Sequence, residues 1–491
     1  DHDQIKSWDE LREYNQHPEW MLDAKFGMYT HWGPSTVANS KTEDGKGHGQ
    51  YAYLMYDKNH PNGNFKYHQQ HWGNQNEFGY KDIIPLFKGE KFNADEWAEL
   101  FKEAGAKFAG PVAAHHDGFF MWDSNVSRWN SMQMGPKKDI SGELAEAIRK
   151  QGMAFIGTFH HNRTWSYFEN SHEYDGLTPG FEDLYWPHEE RAKHSTEFLD
   201  WWYDSLKEYI DKYEPKYLWF DFALSGIDDT YKRKFLTYYY EKAKEWNQDV
   251  LVTYKGKSLP EGIGMLDFER MRPSTLEENA WMTDGSTGPW FYYNDARCQT
   301  SAQLVHELVD IVCKNGCLLL NVPPLMDGTI PEDAQEALRG LGAWLQVNGE
   351  AIYATRPWHI FGEGRLTKLE GDIIEKKKAG RTLSAKEQRM LDSNDHRIHL
   401  VKNQRFSAEE IRFTRSKDGK TLYAIAMGIP TSGQVVVKSL KSGSEHQASP
   451  VRSVELIGYD RKLDWKRTDK GLEITLPNEK PCDYAYAFRI R

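Results

Sequence analysis

The stretch KFGMYTHWGPSTV, residues 25–37, begins as an apolar run and ends abruptly at His31, Trp32 and Gly33. Such a run is typical of a buried strand in a parallel sheet, whose two faces are covered by helices. In parallel α/β folds the functional groups lie at the carboxyl ends of the strands. A strand that ends in an imidazole and an indole therefore predicts both a fold class and the end of the sheet where chemistry takes place.

Short apolar runs alternate with long amphipathic stretches from residue 25 to about residue 350, which is typical of repeated βα units. The alternation predicts a (β/α)8 barrel of the TIM type, with an irregular or missing helix. The one alternative is a doubly wound open sheet, but no glycine-rich phosphate-binding turn follows the first strand. A long helix is predicted over 189–213. Seven strands are predicted, at 25–32, 107–116, 153–161, 216–222, 249–255, 265–270 and 317–324.

The pattern changes after GEAIYATRPW, residues 349–358. From residue 360 onward the chain is polar, with short alternating runs separated by Gly, Ser, Asn and Asp, which predicts a C-terminal antiparallel β-sandwich. We expect a boundary near residue 357, with a catalytic barrel over 1–357 and the sandwich over 358–491. The sandwich is expected to cover one side of the barrel, and the alternative role is a carbohydrate-binding module.

The overall charge excludes some classes of partner. The net charge is −11 and the pI is about 6.0, and no basic stripe is present, so no nucleic-acid partner is predicted. The most basic run, EKKKAGR at 375–381, is predicted to be a solvated turn. No apolar run approaches about 18 residues, so no membrane span is predicted. The start at DHDQIKSW, without an initiator Met or signal peptide, predicts a mature exported protein, periplasmic or extracellular, whose leader is not in this chain.

Polar residues close four of the predicted strands, and this predicts a polar pocket at one rim of the barrel. Imidazoles, indoles and carboxylates suit sugar hydroxyls and the flat C–H faces of a sugar ring. No HxH or HExxH spacing occurs, so no metal or other cofactor is predicted, and a metal-assisted hydrolase is the weakest of the functions considered. The closing residues are His31 and Trp32, then His115, His116 and Asp117, then His160 and His161, and finally Asp221.

Asp221 ends the apolar run YLWFDF, where a carboxylate is costly to bury unless it has partners or a chemical task. In a retaining glycosidase that task is nucleophilic attack, and a second carboxyl group about 5–5.5 Å away acts as acid and then base. We expect Glu269, which closes a later strand, to be this acid/base, with the loop residues Glu277 and Glu278 as alternatives. The competing interpretation of Glu269 is an ion pair with a neighbouring arginine such as Arg270 or Arg272.

At these residues the sequence resembles the α-L-fucosidase family, glycoside hydrolase family 29. The resembling motifs occur in the family's order: KFGMYTHWG, the second βα unit from FNADEW to FFMWDS, MGPKKDI, YLWFDF, WMTDGSTGPWFYYN, CKNGCLLLNVPPLMDGTI and GEAIYATRPW. The resemblance implies a retaining, exo-acting hydrolase that removes terminal α-L-fucosyl-type residues from oligo- or polysaccharides. It also implies that Asp221 is the nucleophile.

The resemblance further implies that His31, His115, His116 and Trp219 hold the hydroxyls and ring of the sugar. It does not place the acid/base, for which Glu269 is a plausible match. The full set of predicted substrate-binding residues is Tyr29, His31, Trp32, Gln50, Tyr51, His115, His116, His160, Trp219, Arg270 and Trp290.

Two departures from the family bear on the substrate. Gly49 and Gln50 stand where members commonly carry Glu-Trp, and Tyr29 stands where a Phe lines the pocket for the C5 methyl of fucose. Because L-galactose is L-fucose with a hydroxyl on that methyl carbon, Tyr29 supports an exo-α-L-galactosidase as the alternative function, acting on a polysaccharide that contains L-galactose. Tyr29 could equally turn its hydroxyl to a neighbour and fill space. The rival from another class is a non-catalytic, sugar-binding pseudoenzyme.

Overall fold

The computed structural model describes residues 4–41, 47–270, 272–273, 275–294, 296–387, 406–447 and 449–491. Eight parallel strands pair in chain order and close into a barrel, which confirms the predicted fold class. The strands are β1 (Phe26–Thr30), β2 (Phe108–Ala114), β3 (Ala154–Phe159), β4 (Tyr217–Phe220), β5 (Leu251–Lys255), β6 (Met265–Asp267), β7 (Trp281–Ser286) and β8 (Gly316–Asn321). The sequence predicted seven of them and missed β7. Polar Thr283, Asp284 and Ser286 interrupt its apolar pattern, although all six of its residues are buried.

Six helices carry buried apolar faces and surround the barrel: α7 (Ala94–Ala104), α8 (Ile140–Lys150), α11 (Thr196–Tyr213), α12 (Asp229–Glu245), α13 (Ser301–Cys313) and α14 (Glu332–Asn348). Among the described residues no helix lies between β5 and β6 or between β6 and β7, and none of the described helices is long and apolar enough to cross a membrane. The predicted helix over 189–213 was too long, because Ser195 caps a helix that begins at Thr196. The helices are α1 (Trp8–Arg12), α2 (Glu19–Ala24), α3 (Pro34–Ala38), α4 (Tyr51–Leu54), α5 (Asn64–His71), α6 (Tyr80–Ile83), α7 (Ala94–Ala104), α8 (Ile140–Lys150), α9 (Thr164–Tyr167), α10 (Glu182–Tyr185), α11 (Thr196–Tyr213), α12 (Asp229–Glu245), α13 (Ser301–Cys313), α14 (Glu332–Asn348) and α15 (Arg365–Lys378).

The strand register brings the polar strand ends together. Ala114 pairs with Phe159, and Phe159 pairs with Phe220, so the residues that follow these three lie side by side. The backbone hydrogen bonding between these strands continues for one residue beyond their ends. The amide of His160 donates to the carbonyl of Ala114 at 2.8 Å, and the amide of Asp221 donates to the carbonyl of Phe159 at 3.1 Å. Two imidazoles and a carboxylate from neighbouring strands are therefore held at one level of the barrel.

The C-terminal part contains two antiparallel sheets with an apolar core between them, as the sequence predicted. The predicted boundary at 357 falls between β9 (Thr355–Arg356) and β10 (Gly362–Glu363) and stays a prediction. EKKKAGR was wrongly predicted to be a turn throughout, since its residues 375–378 form the last turn of α15. The strands are β9 (Thr355–Arg356), β10 (Gly362–Glu363), β11 (Ile411–Ser416), β12 (Leu422–Ala426), β13 (Gln434–Val437), β14 (Val454–Leu456), β15 (Trp465–Arg467), β16 (Leu472–Thr475) and β17 (Tyr486–Ile490).

A buried ion cluster joins the barrel to the C-terminal part. Asp310 on α13 accepts hydrogen bonds from Arg412 of β11 and from Arg272, both at 2.8 Å, and Lys314 lies 3.2 Å away. Burial alone would raise the pKa of Asp310, but the charges of Lys314, Arg412 and Arg272 outweigh burial and hold that pKa well below its usual value. The cluster therefore depends on one ionised carboxylate that three cations share.

Asp310→Asn is expected to lower the free energy of unfolding by about 3–5 kcal/mol, because it leaves buried cations without their counter-charge. The pKa of Asp310 is depressed in the folded state, so its stabilisation is present above the unfolded pKa of about 3.9 and is lost as the pH falls below that value. Urea unfolding at pH 7 and at pH 3 measures both effects. The control Glu103→Gln breaks an exposed pair with Arg339 and should change stability by less than about 1 kcal/mol. An equal effect in both variants would contradict the prediction.

Candidate active site

A cavity of about 430 Å³ opens at the carboxyl ends of the barrel strands, and we call it the carboxyl-end cavity. Its position agrees with the rule that placed the polar strand ends at this rim. The cavity is lined by His31, Gly47, His48, Gly49, Gln50, His115, His116, His160, Arg163, Trp219, Asp221, Phe222, Lys255, Glu269, Arg270, Asp284, Pro289, Trp290 and Tyr293.

Asp221 lies at the base of this cavity, directly after β4, and is only 9% exposed. His160 Nδ1 donates to its Oδ2 at 3.0 Å, His116 Nε2 lies 3.4 Å from the same oxygen, and Lys255 Nζ lies 3.2 Å from Oδ1. Burial alone would raise the pKa of Asp221, but the charge of Lys255 and the hydrogen bond from His160 outweigh burial and hold it well below its usual value. The carboxylate is therefore ionised at neutral pH.

Lys255 closes β5, and its ammonium is almost completely buried. Besides Asp221 it contacts Glu269, and it lies 3.2 Å from Asp284 Oδ2. Burial would lower the pKa of Lys255, but the carboxyl groups of Asp284, Asp221 and Asp267 outweigh burial and raise it. One cation thus holds carboxylates from three different strand ends.

Glu269 follows β6 on strained backbone. Glu269 and Arg270 have φ values of 29° and 52°, in the left-handed region, where a non-glycine residue costs about 1–3 kcal/mol. Two backbone hydrogen bonds hold them there: Glu269 N donates to Asp267 Oδ1 at 2.8 Å, and Arg270 N donates to the carbonyl of Asp284 at 3.0 Å. The strain is kept where both side chains line the cavity, which points to a functional role for them.

His31 presents an acceptor nitrogen to the cavity. Asn321 Oδ1 accepts hydrogen bonds from the backbone amide of His31 at 2.8 Å and from its Nδ1 at 3.0 Å, and Asn321 Nδ2 donates to the carbonyl of Trp290 at 2.9 Å. Burial and the neighbouring His160 lower the pKa of His31 well below its usual value, so the ring is neutral. With the proton on Nδ1, Nε2 is left to accept a hydrogen bond from a hydroxyl.

Two groups of side chains in the described structure have the spacing of metal ligands: His31, His115 and His160, and His116, His160 and Asp221. In each group the ligand atoms lie within 4.8 Å of one another. In the second group, however, the Lys255 ammonium lies 3.2 Å from Asp221, and its positive charge would repel a cation bound there. The expectation that no metal is used stays a prediction.

Comparisons with known proteins identify the family of this chain. The family model described as Alpha-L-fucosidase matches residues 2–350, and the model of the Alpha-L-fucosidase C-terminal domain matches residues 403–491. The chain belongs to the alpha-L-fucosidase family. The human tissue alpha-L-fucosidase is 31% identical over 96% of this chain and 89% of its own length, and the plasma alpha-L-fucosidase of Pongo abelii is 27% identical over 99% and 92%.

Solved structures of the alpha-L-fucosidase family agree with this chain along its full length. The Thermotoga maritima alpha-fucosidase in complex with fucose has 28% identity and a TM-score of 0.75, covering 99% of this chain and 100% of its own. The same enzyme in complex with a mechanism-based inhibitor has 29% identity and a TM-score of 0.74, with 99% of both chains covered. As a member of this family, the protein is a glycoside hydrolase.

Of the site residues predicted from the sequence, most line the carboxyl-end cavity together. Tyr29 is different, because it is fully buried beneath the cavity, where its ring packs against His31 and its hydroxyl donates to Asp284 at 3.3 Å. The predicted residues that line the cavity are His31, Gln50, His115, His116, His160, Trp219, Asp221, Glu269, Arg270 and Trp290.

Two predicted binding residues lie elsewhere. Trp32 was wrongly assigned, because side chains alternate along an extended chain and it points away from His31: it stacks on Phe92 outside the barrel and donates to the carbonyl of Leu325 at 2.8 Å. Tyr51 was also wrongly assigned, since it is fully buried on α4 with its hydroxyl 3.2 Å from His68.

The alternative acids Glu277 and Glu278 are not in the cavity. Both precede β7, and their carbonyls accept hydrogen bonds from Asn315, which directly precedes β8. They therefore lie at the amino ends of the strands, at the opposite end of the barrel from Asp221. Of the three glutamates considered, only Glu269 lines the cavity.

Several residues of the cavity were not predicted. Lys255 closes the predicted strand 249–255, so the rule that selected Asp221 applies to it equally. Asp284 lies on the one barrel strand that the sequence did not indicate. Arg163 and His48 come from segments that follow β3 and β1, where the apolar pattern has already ended. The remaining unpredicted residues include Phe222 and Tyr293.

Lys255→Met is expected to raise the pKa of Asp221 and move the acidic limb of the pH profile of kcat/KM upward by about one unit or more. The sign follows because Asp221, the predicted nucleophile, would attack only as a carboxylate and loses its nearest cation in this variant. Hydrolysis of an aryl glycoside between pH 3 and pH 8 measures the shift. Lys232→Met is the matched control: it removes another buried lysine, on α12, whose ammonium contacts Ser258 outside the cavity. An acidic limb that stays in place in Lys255→Met would contradict the prediction.

Proposed function

We propose that this protein is a retaining, exo-acting α-L-fucosidase that removes terminal α-L-fucosyl residues from oligo- or polysaccharides. The observation that carries the proposal is that Asp221 and Glu269 reach the same cavity and contact the same ammonium, that of Lys255. Carboxyl groups this close suit a double displacement, whereas inverting enzymes need room for a water between them. The similarity to a solved fucosidase in complex with fucose supports the choice of sugar.

In the proposed first step, a carboxylate oxygen of Asp221 attacks the anomeric carbon as the bond to the leaving oxygen breaks, and Glu269 gives that oxygen its proton. In the second step, Glu269 takes a proton from water, and the water oxygen displaces Asp221 from the anomeric carbon. In its ion pair with Lys255, Glu269 is a carboxylate, so before the acid step it rotates away from Lys255 towards the leaving group and takes up a proton from water.

The position of Glu269 also bears on the pseudoenzyme alternative. A binding-only protein needs no second carboxyl group beside Asp221, and the cavity has one on strained backbone. This supports hydrolysis over binding alone. Export to the periplasm or the extracellular space stays a prediction.

Asp221→Asn is expected to lower kcat on an aryl α-L-fucoside by about 10³-fold or more, because the nucleophile is lost. Glu269→Gln should be nearly as slow on a fucosyl disaccharide, but should keep most of its glycosylation rate on an aryl fucoside whose leaving group needs no proton. Proton NMR of the first-formed sugar should show the α anomer, as retention requires.

Glu277→Gln and Glu278→Gln are matched controls for this experiment, since both lie at the other end of the barrel. They should keep wild-type rates on both substrates. A β anomer as the first product would overturn the retaining mechanism. A loss of activity in either control equal to that of Glu269→Gln would overturn the acid/base assignment.

The α-L-galactosidase alternative depends on Tyr29. Its hydroxyl donates to Asp284 beneath the cavity, and burial together with the charge of Asp284 raises its pKa well above the usual value, so it stays protonated. A hydroxyl engaged in this way supports a packing role over recognition of a sugar hydroxyl. This favours fucose as the substrate.

The wild type is therefore expected to prefer an aryl α-L-fucoside to the matching α-L-galactoside, and Tyr29→Phe should change the ratio of the two kcat/KM values by less than about threefold. The physical reason is that the lost hydroxyl contacts Asp284 and not the sugar. Initial rates on the two glycosides measure the ratio. A wild-type preference for the galactoside that Tyr29→Phe abolishes would favour the alternative function.

A further inference from the structure

Two arginines line the carboxyl-end cavity without a carboxylate partner. Within the described ranges of the chain, neither Arg163 nor Arg270 forms an ion pair, and each lies instead against aromatic rings. The guanidinium of Arg270 lies 4.0 Å from the ring centre of Trp290. That of Arg163 lies 5.6 Å from Tyr53 and 5.7 Å from Tyr167.

Two fully buried cations among the described residues do have counter-charges. Lys255 in the same cavity is shared by Asp221, Glu269 and Asp284, and Arg412 pairs with Asp310. A half-buried charge without such a partner destabilises the folded protein, unless a bound ligand supplies the opposite charge. The chain carries 73 acidic against 62 basic residues, so acidic side chains are not scarce.

The Arg270 guanidinium lies over the Trp290 ring, and no described carboxylate pairs with its N–H groups. An indole occupies the face of a guanidinium, whereas the five N–H groups lie in its plane and can bind two oxygens of one anion together. Gly49 lies beside Trp290, where an added Cβ would be 3.4 Å from the Trp290 Cβ, and glycine brings no side chain to compete for Arg270. The left-handed backbone and the bond from Arg270 N to the carbonyl of Asp284 hold this arginine at the cavity wall.

We propose that the saccharide cleaved in this cavity is anionic, and that Arg270 binds a sulfate ester or carboxylate carried by the terminal sugar or by its neighbour. Arg163 adds a second positive charge from the end of β3 and strengthens the attraction for such a chain. The proposal rests on the proposed function, since it names the substrate class for the same site. Arg270 acts here as a specificity-determining residue and takes no part in the chemical step.

The test uses four α-L-fucosyl disaccharides on the full chain: a neutral one, one with a sulfate ester on the terminal sugar, one with a sulfate ester on the neighbouring sugar, and one whose neighbouring sugar is a uronic acid. At least one anionic substrate should exceed the neutral one in kcat/KM by about tenfold or more in the wild type. Arg270→Gln should lower that ratio at least tenfold, and Arg270→Lys, which keeps the charge without the fork of N–H groups, should lower it less.

Arg339→Gln is the matched control, because it removes one positive charge from the outer helix α14 and should leave the ratio unchanged. The anionic probe with the highest kcat/KM identifies whether the bound group is a sulfate ester or a carboxylate. It also identifies whether the terminal sugar or its neighbour carries that group. A wild-type ratio of one or less for every anionic probe would overturn the proposal, and so would a ratio that Arg270→Gln does not change.

Binding isotherms of the same four saccharides to Asp221→Asn separate this proposal from the proposed function. If the wild type hydrolyses none of the probes, the proposed function fails, and the isotherms still report whether anionic saccharides bind more tightly. The anion site is supported if an anionic probe binds Asp221→Asn more tightly than the neutral probe does, and if this difference is lost in the double variant that also carries Arg270→Gln. Equal binding of all four probes overturns it. Thermal unfolding of each variant confirms that the chain remains folded.

Discussion

The arrangement of the cavity depends on one buried ammonium group, that of Lys255. Asp221, Glu269 and Asp284 reach it from the ends of β4, β6 and β7. Without this cation, like charges would face one another in a medium of low dielectric constant, and at least one of the carboxyl groups would have to take up a proton. The ionised state of Asp221 and the resting position of Glu269 are therefore both consequences of the side chain that closes β5.

Much of the barrel could be predicted because its strands are buried on both faces and leave continuous apolar runs. β7 was not predicted because it lacks a continuous apolar run. Its residues Asp284 and Ser286 are polar, and they contact Lys255 and Asn321 of the site. The lack of described helices beside β6 left the sequence without the alternation that marks the other units.

The strand-end rule located Asp221 and its histidines, because backbone register alone brings these positions together. It could not decide which side of the chain each residue faces once the strand has ended, and Trp32 was therefore placed in the cavity although it packs outside the barrel. The choice between Glu269 and Glu277 depended on where β7 begins, and no local pattern indicated that point. That Arg163 and Arg270 lie against aromatic rings without a described carboxylate partner could not be predicted, because it depends on contacts that only the folded chain makes.

The junction of β6 and β7 has a consequence for how this scaffold can change. β6 has three residues and a single registered pair with β7, between Asp267 and Met282, and no described helix follows it. The segment between these strands is held instead by the bond from Arg270 N to the carbonyl of Asp284 and by the ion pair of Arg272 with Asp310. Glu269 stands at the start of that segment, whereas Asp221 follows a strand paired on both sides. A change in the length of this segment would therefore move the carboxyl group of Glu269, whereas the neighbouring strands β3 and β5 keep Asp221 in place.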